Sequence, residues 1–336
     1  MLSLLTAAIA LAACPRTPEL RDPDGQVTVL AQNLKFIATG SRRAERAALL
    51  RHYLDDEGAN VDLLLLSEAR LTGELEIWRP DWCFYAQSGD RDGYRWVPAE
   101  ERRSPGGLVI GVRQLTEGTV RTIGTLAGRR YRARPVSFAE GILGPLARYY
   151  KGWAGLVVDD TQILWTHAQA SYRRRPERGA GSPGRGRVGQ FEDLATDLGR
   201  PSRATLITGD MNLLSGYTPH CSSDEPRVCG AREIDDGTVT RFRERTGLDL
   251  GWFASAGTFA GSFDKSESLD TWDLEAPYDR VGVNAAFLSA HPGTQVSHVD
   301  IGDDSLRVSD HLGLRISIPF SLPAVASGAR LPYDPR

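Results

Sequence analysis

Short apolar runs, most of them closed by a polar residue, recur from one end of this chain to the other and constrain its fold more than any other feature. Residues 27–34, 61–66, 107–112, 156–158, 163–166, 204–208, 281–288 and 312–318 are such runs. They are Val-, Ile- and Leu-rich and shorter than the span of about 10 residues that an amphipathic helix needs, so they read as buried strands. Helical patterns at 44–54, 188–198 and 238–246 fall between them. No internal repeat and no long polar linker interrupts residues 27–320, and strands come from both halves, so the class is α/β (α+β). Residues 321–336 are left as a C-terminal tail.

Residues 1–13 contain no charged side chain and run apolar and small up to Cys14. The run is shorter than the roughly 20 residues a membrane-spanning helix requires and suits a cleaved export segment; the alternative is a buried N-terminal helix. Leu11-Ala12-Ala13-Cys14 resembles the bacterial lipobox, which implies lipidation of Cys14 and a cell-envelope or secreted location. No Lys or Arg precedes the apolar run, a departure from the usual signal. Polar, turn-rich residues 14–26 read as a tether. Cys221 and Cys229 bracket a short polar stretch and could close a disulfide in an oxidising compartment or be two unrelated thiols, while Cys83 reads as a core residue.

A formal charge of −3 and a pI near 6.1 argue against a surface that grips polyanions everywhere, because non-specific nucleic-acid binding rests on a positive field. Basic function is therefore local. Residues 173–187 hold six Arg, four Gly and two Pro, which reads as a flexible basic loop. Arg173 and Arg174 are its candidate phosphate or headgroup contacts.

The polar residues at the run ends carry the chemistry. Asn33, Glu68, His167, Asp210 and Asn212 follow apolar runs, whereas Asp279 and the pair Asp310-His311 precede them. Strand ends of this kind gather polar groups at one rim of a sheet. Oxygen donors from Glu68, Asn33 and Asp310 suit magnesium, with manganese or calcium as alternatives. Histidines flanked by carboxylates can steady a phosphoryl oxygen, and an Asp beside them can orient a water. No spacing of thiols or paired histidines suggests structural zinc.

The ordered set resembles the endonuclease/exonuclease/phosphatase superfamily. Its series of a strand-end Asn, a Glu after an apolar strand, Thr-His, Gly-Asp-x-Asn, an Asp before a strand and Ser-Asp-His is matched by Asn33, Glu68, Thr166-His167, Gly209-Asp210-Met211-Asn212, Asp279 and Ser309-Asp310-His311. Gly106-Gly107-Leu108-Val109-Ile110 is similar to the family's glycine-plus-strand element. The resemblance implies a four-layer sandwich of two mixed β-sheets flanked by helices. It also implies Glu68 as principal metal ligand with Asn33 and Asp310 nearby, Asp210 positioning the attacking water and Asn212 holding the phosphate. Asp279 would orient His311, and His167 would stabilise developing charge. Which of Asp210 and His311 takes the proton stays open.

Thr166-His167-Ala168-Gln169 and Lys151-Gly152 resemble the secreted sphingomyelinase and phospholipase C-like branch, which implies a phospholipid headgroup as substrate and Lys151 as a substrate contact. Tyr149, Tyr150 and Trp153 are candidates for membrane contact, with core packing as the alternative; Trp252-Phe253 is a second candidate. The rival readings are a secreted nuclease using residues 173–187 and a catalytically silent surface lipoprotein that binds without turnover. A phosphoinositide phosphatase is a further option on Pro277-Tyr278-Asp279-Arg280, although Leu213-Leu214 stands where that branch carries an aromatic and an Arg.

Overall fold

The computed structural model describes residues 14–15, 19–34, 42–69, 81–87, 96–98, 108–124, 127–131, 151–168, 183–213, 226–251, 279–302, 306–309 and 312–320. In chain order the elements are β1 (Leu20–Asp22), β2 (Gln26–Asn33), α1 (Arg43–Asp55), β3 (Leu63–Ser67), β4 (Trp82–Gln87), β5 (Trp96–Pro98), β6 (Val109–Arg113), β7 (Thr119–Arg121) and β8 (Ala127–Arg130). They continue with β9 (Gly152–Val158), β10 (Thr161–His167), α2 (Pro183–Leu198), β11 (Thr205–Asp210), α3 (Pro226–Thr246), β12 (Asp279–Val283), α4 (Ala285–Ala290), β13 (Gln295–Val299) and β14 (Gly313–Pro319).

Two mixed sheets result. One has seven strands in the order β13-β14-β2-β3-β6-β4-β5, the other five in the order β12-β11-β10-β9-β8. The β2–β3 and β10–β11 pairs are parallel and their neighbours antiparallel. Successive strand residues face opposite sides of a sheet, and the cores follow that alternation. Val27, Val29 and Ala31 of β2, Leu63 and Leu65 of β3, Ile163 and Trp165 of β10, Leu206 of β11 and Val281 and Val283 of β12 share one cluster between the sheets. The opposite faces are covered by helices. Leu30, Leu64 and Leu66 pack with Leu50 and Leu54 of α1, while Leu164 and Ile207 pack with Phe191 and Leu194 of α2 and Phe242 of α3. The expected four-layer α/β sandwich is therefore what forms. Among the described residues no helix is long and apolar enough to cross a membrane.

Three expectations fail for local reasons. The run 281–288 is not one strand, because it stops at Val283 and Asn284 caps a helix by accepting from the Phe287 amide at 2.9 Å. The stretch expected as a tether contains β1, paired with β7. One Asp22 carboxylate oxygen collects the amides of Asp24, Gly25 and Gln26 at 2.6–3.0 Å, the other takes the Arg121 guanidinium at 2.7 Å, and Leu20 is fully buried. Turn-forming chemistry here builds an anchored edge.

Cys14 is the third correction. Its sulfur is bonded to Cys83, with Cα atoms 5.5 Å apart, a spacing that suits a disulfide. Both residues lie in the core between the sheets, and Pro15 beside them accepts from the Tyr85 hydroxyl at 2.8 Å. A sulfur consumed in a disulfide cannot also carry a lipid thioether. Of the pair expected to bond instead, Cys221 lies outside the described residues and Cys229 is on α3.

Candidate active site

The alternation that builds the core between the sheets also delivers the polar strand ends to its mouth. Asn33 is in phase with Val27, Val29 and Ala31; His167 with Ile163 and Trp165; Asp210 with Leu206; Asp279 with Val281 and Val283. Each strand thus carries an apolar face that ends in a polar group on the same side. Asp210 and Asp279 stand opposite one another in the β11–β12 register.

Glu68 is out of phase, since Leu63, Leu65 and Ser67 are the inward residues of β3. A left-handed backbone, φ 53°, breaks the strand there, and Glu68 Oε1 lies 3.3 Å from His167 Nε2. Left-handed residues other than glycine are sparsely populated and gather where a site over-determines them. Asn212 is a second, φ 52°. Gly209, φ 115°, leaves no room for a side chain, because a Cβ there would come within 2.3 Å of the Thr166 carbonyl oxygen. A glycine between Thr208 and Asp210 is therefore required for the close approach of β11 to β10.

His167 is the hub. Its Nε2 is faced by the Glu68 carboxylate, by Asp210 Oδ2 at 3.4 Å and by the Lys151 ammonium at 2.5 Å. Asn33 Nδ2 donates to Asp210 Oδ2 at 3.1 Å, tying the two sheets together across the rim. The turn after Asp210 is held on both sides: the Asn212 amide donates to Asp210 Oδ1 at 3.1 Å and its side chain to the Ala168 carbonyl at 3.0 Å. His167, Asp210, Asn33, Asn212 and Asp279 are buried, and Glu68 is partly exposed.

The structure thus brings together Asn33, Glu68, Lys151, His167, Asp210 and Asn212, with Asp279 on the same rim. Asp310 and His311 lie outside the described residues, as do Arg173 and Arg174. The strand after Asp310 and His311 starts beside Asn33, since Leu314 pairs with Ala31. Apart from His167 and Lys151, the groups gathered here are oxygen-bearing carboxylates and amides with no thiol, the chemistry of a hard-cation site. Glu68 and Asn33 would hold such an ion, and Asp310 is the third ligand the resemblance implies. No group of three His, Cys, Asp or Glu side chains among the described residues is by itself arranged as a metal cage.

Of the residues weighed for surface contact, Trp153 takes the core-packing alternative and Arg187 is a correction. Trp153 is buried, packed in the helix-covered face of the five-stranded sheet, and its indole donates to Asp197 at 3.2 Å; it faces no membrane. Arg187, counted in the basic loop, is in α2 and fully buried, bonded to both carboxylate oxygens of Asp235 at 2.7 and 2.8 Å. Trp252 and Phe253, like Tyr149 and Tyr150, lie outside the described residues.

Sequence reasoning missed Tyr131, whose hydroxyl bonds Thr166 beside His167, and Arg280, which donates to the Leu213 carbonyl at 3.0 Å. For Arg280 a signal existed: a charged residue between Asp279 and the apolar run Val281-Gly282-Val283, on the same buried strand, needs a buried partner.

Comparison of the sequence finds no matching protein family and no matching curated protein. Comparison of the fold does find relatives. The chain is similar to TDP2 from C. elegans, with a TM-score of 0.56 and 14% identity over 89% of this chain and 77% of that one. It is also similar to beta toxin from Staphylococcus aureus, with a TM-score of 0.55 and 14% identity over 86% and 99%. A third likeness is to a 3′ phosphatase, NExo, from Neisseria, with a TM-score of 0.52 and 15% identity over 88% and 100%. These likenesses show a shared fold: the chain has the two-sheet architecture of these proteins, the one that the resemblance of its motif order implies.

Proposed function

We propose that this protein is an exported, metal-dependent phosphodiesterase acting on a phospholipid headgroup. The observation that carries the reading is the convergence of Glu68, Asp210 and Lys151 on His167 Nε2, within 2.5–3.4 Å. Two carboxylates beside a cationic side chain and an imidazole form a place where a phosphoryl group can be neutralised and a water oriented. Asn33 holds Asp210 in position, so that this carboxylate can align the water for attack on phosphorus. As the new P–O bond forms, the water's proton passes to Asp210 or His311; the P–O bond to the alcohol breaks and the departing oxygen takes up a proton from solvent. Lys151 and Asn212 would hold the non-bridging oxygens. A divalent cation at Glu68 and Asn33 would add Lewis-acid charge to the phosphoryl group.

Lys151 supports the lipid branch, because Lys151-Gly152 is similar to the Lys-Gly step of the sphingomyelinase group and its ammonium lies on His167. A solved sphingomyelinase C from Streptomyces griseocarneus shares 16% identity over 90% of this chain, with a TM-score of 0.50. The buried Cys14–Cys83 disulfide supports export, since such bonds persist in oxidising compartments. Nuclease action is the second reading, favoured by likeness to TDP2 from D. rerio, one structure of which is complexed with single strand DNA product.

The test is hydrolysis of sphingomyelin, phosphatidylcholine and plasmid DNA by the same preparation, with and without magnesium. Metal-dependent release of phosphocholine is expected. Nicked plasmid with intact lipid would replace the lipid reading by the nuclease one, and a Glu68→Gln variant with wild-type turnover would overturn the site itself.

A further inference from the structure

We propose that Arg280 is a positioning residue, whose guanidinium clamps the backbone leaving Asp210 and Asn212 from the helix-covered side of the sheet. Along β12 it faces away from Asp279 and toward the helix layer, where it is buried. Its Nη2 donates to the carbonyl of Leu213, the residue after left-handed Asn212. The other holds on this turn come from the sheet side: Asp210 Oδ1 on the Asn212 amide, Ala168 O on the Asn212 side chain, and Asp210 O on the Ala168 amide at 2.9 Å. Arg280 is the hold from the helix side.

A buried cation needs compensating charge. Burial draws the Arg280 guanidinium down to about 10, while Asp235 and Asp236 of α3 pull the other way, so it stays charged at neutral pH. Asp235 is gripped in turn by Arg187 of α2. The acidic pair on α3 thus offsets the charge of Arg280, whose Nη2 holds the turn that presents Asp210 and Asn212. The left-handed φ of Asn212 persists only while its surroundings over-determine it. Removing the clamp frees one end of that turn.

The kinetic half of the test rests on the phosphodiesterase reading; the exchange half does not. Full-length Arg280→Met and Arg280→Lys are compared with wild type, using bis(p-nitrophenyl) phosphate with magnesium and amide exchange of peptides covering residues 161–168 and 206–213. Arg280→Met is expected to lower kcat by about tenfold or more with KM within about threefold, and Arg280→Lys to recover most of the rate. Amides 211–213 should exchange about tenfold faster in Arg280→Met, with 161–167 unchanged. Unchanged exchange at 211–213 in folded Arg280→Met, or an equal rise in exchange over both peptides, overturns the clamp. Exchange that changes as expected in a chain showing no metal-dependent hydrolysis upholds the clamp and overturns the functional reading instead.

Discussion

Reduction of the Cys14–Cys83 bond should lower the melting temperature by about 6 °C. The bond closes a loop with a sequence separation of 69, for which loop-closure entropy gives about 4 kcal/mol at 25 °C. At roughly 2.1 cal/mol/K of unfolding entropy per residue, 336 residues carry about 0.7 kcal/mol/K, and the quotient is the shift. Burial of both cysteines and the Tyr85–Pro15 hydrogen bond hold residues 14–15 in place, so the folded state is expected to keep its shape when the bond is cut. The assay is calorimetry of the whole chain with and without a phosphine reductant, paired with peptide mapping of both cysteines and repeated on Cys83→Ala. A shift below about 2 °C, with mapping that shows the bond present before and absent after reduction, would refute the loop-entropy reasoning. An acylated Cys14 peptide would refute the bond itself.

Two further outcomes follow from buried charge. Burial raises Asp62 to about 7 from 3.8, against the Thr28 amide that donates to its carboxylate at 2.8 Å. Because the folded form binds the proton more tightly, this term favours the folded state fully below pH 3.8 and is lost as pH rises through 7. Asp62→Asn should therefore raise the melting temperature at pH 8 and leave it nearly unchanged at pH 4, which parallel melts at the two pH values will show. Asp235→Asn strips the fully buried Arg187 of its counter-charge and should cost about 3 kcal/mol in urea unfolding, whereas the double change Arg187→Met with Asp235→Leu should recover most of that loss.

The apolar runs were enough to place β2, β3, β6, β10, β11 and β14 to within two residues, because period-two burial between two covered faces leaves few alternatives. The same order of strand ends named Asn33, Glu68, His167 and Asp210, since a polar residue closing a buried strand must emerge at a rim. Local chemistry misled where one residue type serves two ends. Asp22 and Gly25 read as a tether but build a hydrogen-bonded turn, and Asn284 ends a strand by capping a helix. Sequence could not choose a partner for Cys14, nor single out Arg187 among the arginines of 173–187 as buried, because pairing between residues 69 or 48 apart depends on which elements pack together. What the chain by itself determined was the set of strands and the polar groups at their ends. What only tertiary structure decided was which of those groups meet: pairing of neighbouring strands in the five-stranded sheet puts Lys151 and Asp210 beside His167, and the stacking of the two sheets brings Glu68 to the same imidazole nitrogen.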